Sequence, residues 1–154
     1  MTCAFCKINN GTLPCVSIYE NKHCHVILDK FKINKGHLLI LSKNHHQSMT
    51  KLSHEERSQL INTASQVALA MKGMNNKIKD FHFLINDGPG AYQHVSHVHL
   101  HLIPRYRYDL LFLVTNIFTR YINPFNYTVN KKTYRWAQKL SHYIKMQCEL
   151  ETNC

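Results

Sequence analysis

Apolar and polar positions change their period several times along the chain, and each change predicts an element. Val16, Ile18 and Tyr19 precede a turn at Asn21-Lys22, and His25-Val26-Ile27-Leu28 resumes with β-branched residues, which predicts an antiparallel hairpin. Gly36 precedes His37-Leu38-Leu39-Ile40-Leu41, whose near-continuous apolar character predicts a strand buried on both faces. Before the hairpin, Cys3 to Asn10 suits one short helical turn, stopped by Asn9-Asn10-Gly11. After the third strand, Ser53-His54-Glu55-Glu56 has the form of a capping box. Leu60, Ile61, Ala64, Val67, Ala68 and Met71 then recur at three- and four-residue steps. Gly73 stands where a left-handed residue is expected to end that helix.

A fourth strand is predicted over Phe81 to Ile85, broken by the turn-forming run Asn86-Asp87-Gly88-Pro89-Gly90, and a fifth from Val95 to about Ile103. Tyr106 to Tyr127 mixes aromatic and aliphatic residues without clean periodicity and supports no assignment; burial is expected for Tyr106 and Tyr108. From Asn130 onward Trp136, Ala137, Leu140, Tyr143 and Ile144 form an apolar stripe, with Lys131, Lys132, Arg135, Lys139 and Lys145 among the polar positions. A basic amphipathic C-terminal helix follows.

The 154 residues, 44% hydrophobic and 18% charged, suit one domain with one core, and no low-complexity tract or repeat argues otherwise. Nineteen Lys and Arg against 9 Asp and Glu give a formal charge of +10, so the surface should attract anions. No apolar run approaches the roughly 20 residues of a membrane span, and Met1-Thr2-Cys3-Ala4 lacks a charged leader before an apolar stretch. An unexported, cytoplasmic protein without a membrane partner is expected. In a reducing compartment close cysteine pairs bind metal more often than they bridge, which makes Cys3-Ala4-Phe5-Cys6 one half of a candidate zinc site.

The most informative segment is His97-Val98-His99-Leu100-His101-Leu102-Ile103-Pro104. On a strand, His97, His99 and His101 share one face while Val98, Leu100 and Leu102 enter the core. Crowded, desolvated imidazoles disfavour one another's protonation, so the row should be largely neutral near pH 7. Two chemistries suit it. All three rings can hold a catalytic zinc with an open position for water. Alternatively, one ring attacks phosphorus and forms a phosphoramidate that water then cleaves. The attacking nitrogen then needs its partner N–H held by an acceptor. A closed Cys2His2 set would withdraw one histidine of the row from catalysis, which favours the second chemistry.

The segment His97 to Arg105 resembles the signature of the histidine triad (HIT) superfamily of nucleotide hydrolases and transferases. The likeness runs from Cys3 to about Asp109, with Asp29, Gly36-His37-Leu38-Leu39-Ile40, Lys43-Asn44-His45, Asn86-Asp87-Gly88-Pro89 and Gln93 in the expected order. It implies an α+β fold, a five-stranded antiparallel sheet with the capped helix packed on it. A HIT domain would span residues 1–109, with 110–154 as a partly helical extension packed on the same domain. It also implies a homodimer with a continuous sheet and a nucleotide substrate, purines preferred. By the same resemblance His99 is the nucleophile, His101 contacts phosphate and assists the leaving group, Asn86 and Gln93 contact ribose and phosphates, and Asp29 binds ribose. The bacterial Hint-like branch often carries a structural zinc, and Cys3, Cys6, His45 and His97 match its ligands, with His46 as the alternative to His45.

Departures from the pattern matter too. Histidine rather than glutamine at the third triad position favours hydrolysis over transfer to a sugar phosphate. Tyr92 replaces a common glycine, and His94 a small or hydroxyl residue. The leading expectation is a hydrolase releasing a nucleoside monophosphate from a phosphoramidate, a dinucleoside polyphosphate or an aminoacyl-adenylate-like compound. The alternatives are a non-catalytic nucleotide-binding module and a zinc enzyme with the three histidines as ligands. Nucleic acid is not required by any of them.

Overall fold

A computed structural model describes residues 3–115 and 130–152. Five strands, β1 (Ser17–Glu20), β2 (Cys24–Leu28), β3 (Leu38–Ser42), β4 (Ile78–Leu84) and β5 (His99–Tyr106), form one sheet in the order β1-β2-β3-β5-β4, each adjacent pair antiparallel. The helices α1 (Ala4–Asn9), α2 (His54–Met74) and α3 (Lys131–Thr152) frame it, and residues 110–115 are also helical. This is the expected α+β architecture. Residues 116–129, which include the second half of the aperiodic stretch from Tyr106 to Tyr127, lie outside the described residues.

The β1–β2 turn closes where Asn21 Oδ1 accepts from the amides of His23 and Cys24 at 2.9 and 2.7 Å. β3 is buried along its whole length because both faces are covered. Leu38 and Ile40 join the main core with Val26, Leu100, Leu102 and the inner face of α2, while Leu39 and Leu41 join a smaller cluster with Phe5 and Ile27. α2 begins on the predicted capping box: Glu56 N donates to Ser53 Oγ and Ser53 N to a Glu56 carboxylate oxygen.

Several expectations need correction. Gly73 does not end α2; it lies inside the helix, which caps at Asn75 with an extended backbone. A Cβ at residue 73 would sit 2.8 Å from Tyr143 Oη, so the bare position serves the approach of α3. β4 starts earlier than predicted, at Ile78. β5 starts later, at His99, because His97 N bonds back to Val95 O and Val98 N to His46 O, which keeps both amides out of the ladder. Tyr106 is half-buried with its hydroxyl donating to Lys35 O, whereas Tyr108 is 87% exposed.

Asn130 caps the start of α3, its Oδ1 accepting from Thr133 N at 2.9 Å. Its predicted stripe is the face that docks: Ala137, Leu140 and Ile144 are buried with Trp136 and Tyr143 beside them, against α2 and β1. Lys131, Lys132, Arg135, Lys139 and Lys145 are exposed. No helix among the described residues is long and apolar enough to cross a membrane.

Candidate active site

β5 carries the site because its two faces meet different surroundings. Leu100 and Leu102 fill the main core, while His99 and His101 line a cavity of about 830 Å³ between the sheet and α1. Phe5, Ile8, Ile27 and Leu39 give it apolar walls, and Asp29 and His94 add polar groups. An apolar slot with few convergent polar groups is suited to a flat base carrying a charged tail.

Hydrogen bonds to backbone carbonyls assign the protons of His99 and His97. His99 Nδ1–H donates to the carbonyl of His97 at 2.7 Å, so Nε2 keeps its lone pair. His97 Nε2–H donates to Ser42 O at 2.8 Å, which leaves its Nδ1 as the free base. Burial above all, then the neighbouring His45, His99 and His46, push the His97 pKa below 6.5, against an opposing pull from the Ser42 carbonyl. His97 is therefore neutral near pH 7, as expected for the row.

His101 is held by a residue that the site assignment from sequence missed. His101 Nδ1 stands 3.0 Å from His37 Nε2, and the amide of Ile33 points at His37 Nδ1 at 3.1 Å. His37 Nε2 and His101 Nδ1 therefore share one proton, and His37 Nδ1 faces both that amide and the Asp29 carboxylate. Asp29 Oδ2 lies 3.2 Å from His37 Nδ1, and Asp29 Oδ1 accepts from Phe31 N at 2.7 Å. The available signal was a histidine heading an otherwise apolar strand; its ring is fully buried.

The loop carrying His37 is tied down by Asn34, whose amide donates to Pro104 O at 2.9 Å and to Asp109 Oδ2 at 2.7 Å. Arg105 forks onto both Asp109 oxygens, and its hydrogen bond is the chief reason the Asp109 pKa falls from 3.8 to about 2.

His97 belongs to a different cluster. Its Nδ1 lies 3.5 Å from the Sγ atoms of Cys3 and Cys6 and 3.3 Å from His45 Nδ1, which is 3.2 Å from Cys6 Sγ. Sulfur ligands at about 2.3 Å and nitrogen ligands at about 2.05 Å on a tetrahedral ion stand roughly 3.6 Å apart S to N and 3.4 Å apart N to N. The residues present fit a zinc ion. His45, not His46, enters the set; His46 Nε2 lies 3.3 Å from a Glu56 carboxylate oxygen. Desolvation, then Cys3, raise the Cys6 pKa, so without a cation this corner does not favour two thiolates. The three triad rings form no common ligand set among the described residues: His97 groups with the cysteines, His101 with Asp29 and His37.

Asn86 and Gln93 lie outside the cavity wall and brace the loop beside it. Asn86 Nδ2 donates to Tyr92 O at 3.2 Å. Gln93 Oε1 accepts from Gly88 N at 2.8 Å, while its Nε2 reaches Gln47 O and the His97 carbonyl at 3.0 and 3.4 Å. Tyr92 holds φ +59, a left-handed backbone that glycine adopts more readily.

Residues 10–108 match the family model described as the HIT domain. The chain belongs to the HIT domain family. A HIT-like protein of Methanocaldococcus jannaschii is 35% identical over 107 residues, covering 70% of this chain and 81% of that one. The adenosine 5'-monophosphoramidase of Schizosaccharomyces pombe is 36% identical over 105 residues, covering 68% and 75%. A Zn-bound histidine triad family protein from Mycobacterium smegmatis superposes with TM-score 0.78 at 26% identity, over 96% of this chain and 98% of that one. In this HIT protein Asp109 and all of α3 lie beyond the residues that match the family model.

Proposed function

We propose that this HIT protein is a nucleotide hydrolase that attacks an α-phosphate through His99 and releases a nucleoside monophosphate from a phosphoramidate or a dinucleoside polyphosphate. The placement of the two cavity histidines carries the proposal: His99, with its Nδ1–H on the His97 carbonyl, offers Nε2 as a base, and His101 stands 4.9 Å away ring to ring on the same wall as the acid we assign to the leaving group. The naming of the fission-yeast relative as an adenosine monophosphoramidase supports the same class.

His99 Nε2 attacks phosphorus, the P–N or P–O bond to the leaving group breaks, and that group takes the proton of His101 Nε2. His101 then accepts a proton from water as the water oxygen attacks phosphorus. The P–Nε2 bond breaks, and both rings return to their starting state. The His97 carbonyl stabilises the cationic His99 ring of the intermediate by accepting its Nδ1–H. Asp29, on the cavity wall, is offered to the ribose hydroxyls, and Asn86 and Gln93 to ribose and phosphates from the loop they brace. The apolar walls suit a purine.

Cys3, Cys6, His45 and His97 would hold a structural zinc, which supplies a fixed anchor for α1 and takes no part in the reaction. A homodimer with a continuous sheet would use the edge strand β4, where Phe83 and Leu84 are each 45% exposed.

Intact-mass analysis after rapid mixing with adenosine 5'-phosphoramidate tests the proposal. A nucleotidyl adduct on His99, absent from His99→Ala together with a loss of turnover of at least ~10³-fold, is expected. Turnover retained in His99→Ala overturns it. Nucleotide binding by the unaltered protein with neither adduct nor turnover would leave a binding module.

A further inference from the structure

The turn that carries His37 is pressed from a part of the chain outside the family match. Gly36 has φ +82, and a Cβ built on it would meet Met71 Cε at 3.3 Å, Trp136 Cη2 at 3.3 Å and Pro104 Cγ at 3.4 Å. The Gly36 backbone is therefore closed over by side chains from α2, α3 and β5, without a side chain of its own to absorb a shift. His37 follows directly, fully buried, with its ring 3.0 Å from His101 Nδ1. On the other side of the turn the Asn34 amide is fixed to Pro104 and Asp109. Polar ties thus hold one side of the turn, and the Trp136 indole bears on the other.

We infer that Trp136 is a positioning residue for the leaving-group acid: by seating Gly36 it sets the height of His37, and through His37 the aim of His101 Nε2. The inference rests on the role assigned to His101 above. It gives the C-terminal helix, which lies beyond the 10–108 match, a part in the reaction beside Met71 and Pro104.

Two substrates of opposite demand test it. An alkylamine phosphoramidate of AMP must receive a proton to leave, whereas the p-nitrophenyl ester of AMP departs as a phenolate and needs none. Trp136→Phe removes the outer ring that carries Cη2 and keeps an aromatic filler; Trp136→Leu removes more. Values of kcat/KM per active site are expected to fall roughly tenfold in Trp136→Phe and up to ~10²-fold in Trp136→Leu on the amine substrate. On the nitrophenyl ester both are expected to stay within about twofold of the unaltered protein. His101→Ala should show the same selectivity more strongly.

Equal losses on both substrates, or none, in Trp136→Phe overturn the inference, and that variant decides alone if Trp136→Leu does not fold. If His101→Ala itself loses equally on both substrates, the assigned role of His101 fails instead, which separates the two.

Discussion

Cys6→Ser is expected to free α1 from the domain. The helix spans 6 residues, shorter than a helix stable alone in water, and its N-cap Cys3 makes no side-chain cap bond. Ordering those residues costs roughly 6–12 kcal/mol of backbone entropy at about 1–2 kcal/mol each. Burying Phe5 returns about 2–3 kcal/mol, and the two Asn9 amide bonds to the carbonyls of Ser42 and Lys43 about 1 kcal/mol each. Several kcal/mol remain to be found, well within the roughly 10–16 kcal/mol that zinc contributes in small metal-stabilised modules. On the proposed zinc site, the unaltered protein should carry one ion per chain and Cys6→Ser close to none, and hydrogen-exchange protection should be lost from the Lys7 and Asn10 amides, which bond to Cys3 O and Cys6 O. With Phe5 and Ile8 lost from the cavity wall, the nucleotide KM should rise roughly tenfold, the equivalent of about 1.4 kcal/mol. kcat should change far less, since the His97 carbonyl that holds His99 is backbone. Stoichiometric zinc in Cys6→Ser would place the metal elsewhere. Protected α1 amides in the metal-free variant would show that the ion is not what anchors the helix.

Asp109→Asn should cost about 2 kcal/mol at pH 7, because a carboxyl pKa of about 2 against 3.8 is worth nearly two units of linkage; urea unfolding measures it, and an unchanged midpoint would refute it. The Asp109 contribution is complete above pH 4 and disappears as pH falls through 2. His25 is buried between Ser17 Oγ and Asn9 Oδ1, and desolvation lowers its pKa from 6.5. The unfolded chain therefore binds the extra proton first, and stability should drop as pH falls below about 6.5. His25→Gln should flatten the dependence between pH 7.5 and 5.5, and an equally steep dependence in that variant would assign it to other groups. Tyr92→Gly should stabilise by about 0.5–1 kcal/mol, as relief of the left-handed backbone outweighs added unfolded-state entropy, and a lowered thermal midpoint would contradict this.

What was legible in the sequence follows from how far away the deciding groups lie. The capping box of α2, the two-faced β3 and the docking stripe of α3 depend on local periodicity, and each forms where the pattern places it. Gly73 reads locally as a helix end, yet its bare position serves Tyr143, seventy residues on. The start of β5 shifted because Val98 N finds His46 O, a partner that no periodicity around residue 98 reveals. Residue types at the site could be matched to a signature, but the partners that orient the rings could not. For His101 those partners are His37 and, behind it, the amide of Ile33, neither within the signature.

The candidate zinc cluster and the cavity histidines meet at His97. The His97 ring lends Nδ1 to the cysteine cluster, and its carbonyl accepts the proton of His99 Nδ1. An alternating strand separates neighbouring side chains onto opposite faces, but a backbone carbonyl can still reach the ring two residues on. A ligand position and a nucleophile can therefore sit two residues apart without sharing an ion. Gln93 Nε2 reaches the same carbonyl at 3.4 Å from the loop beside the cavity, and the ring bond to Ser42 O ties the residue to the end of β3. Because side chain and carbonyl are held separately, loss of the ion should disturb α1 before it disturbs the tautomer of His99. That order separates an anchoring metal from one that acts on substrate.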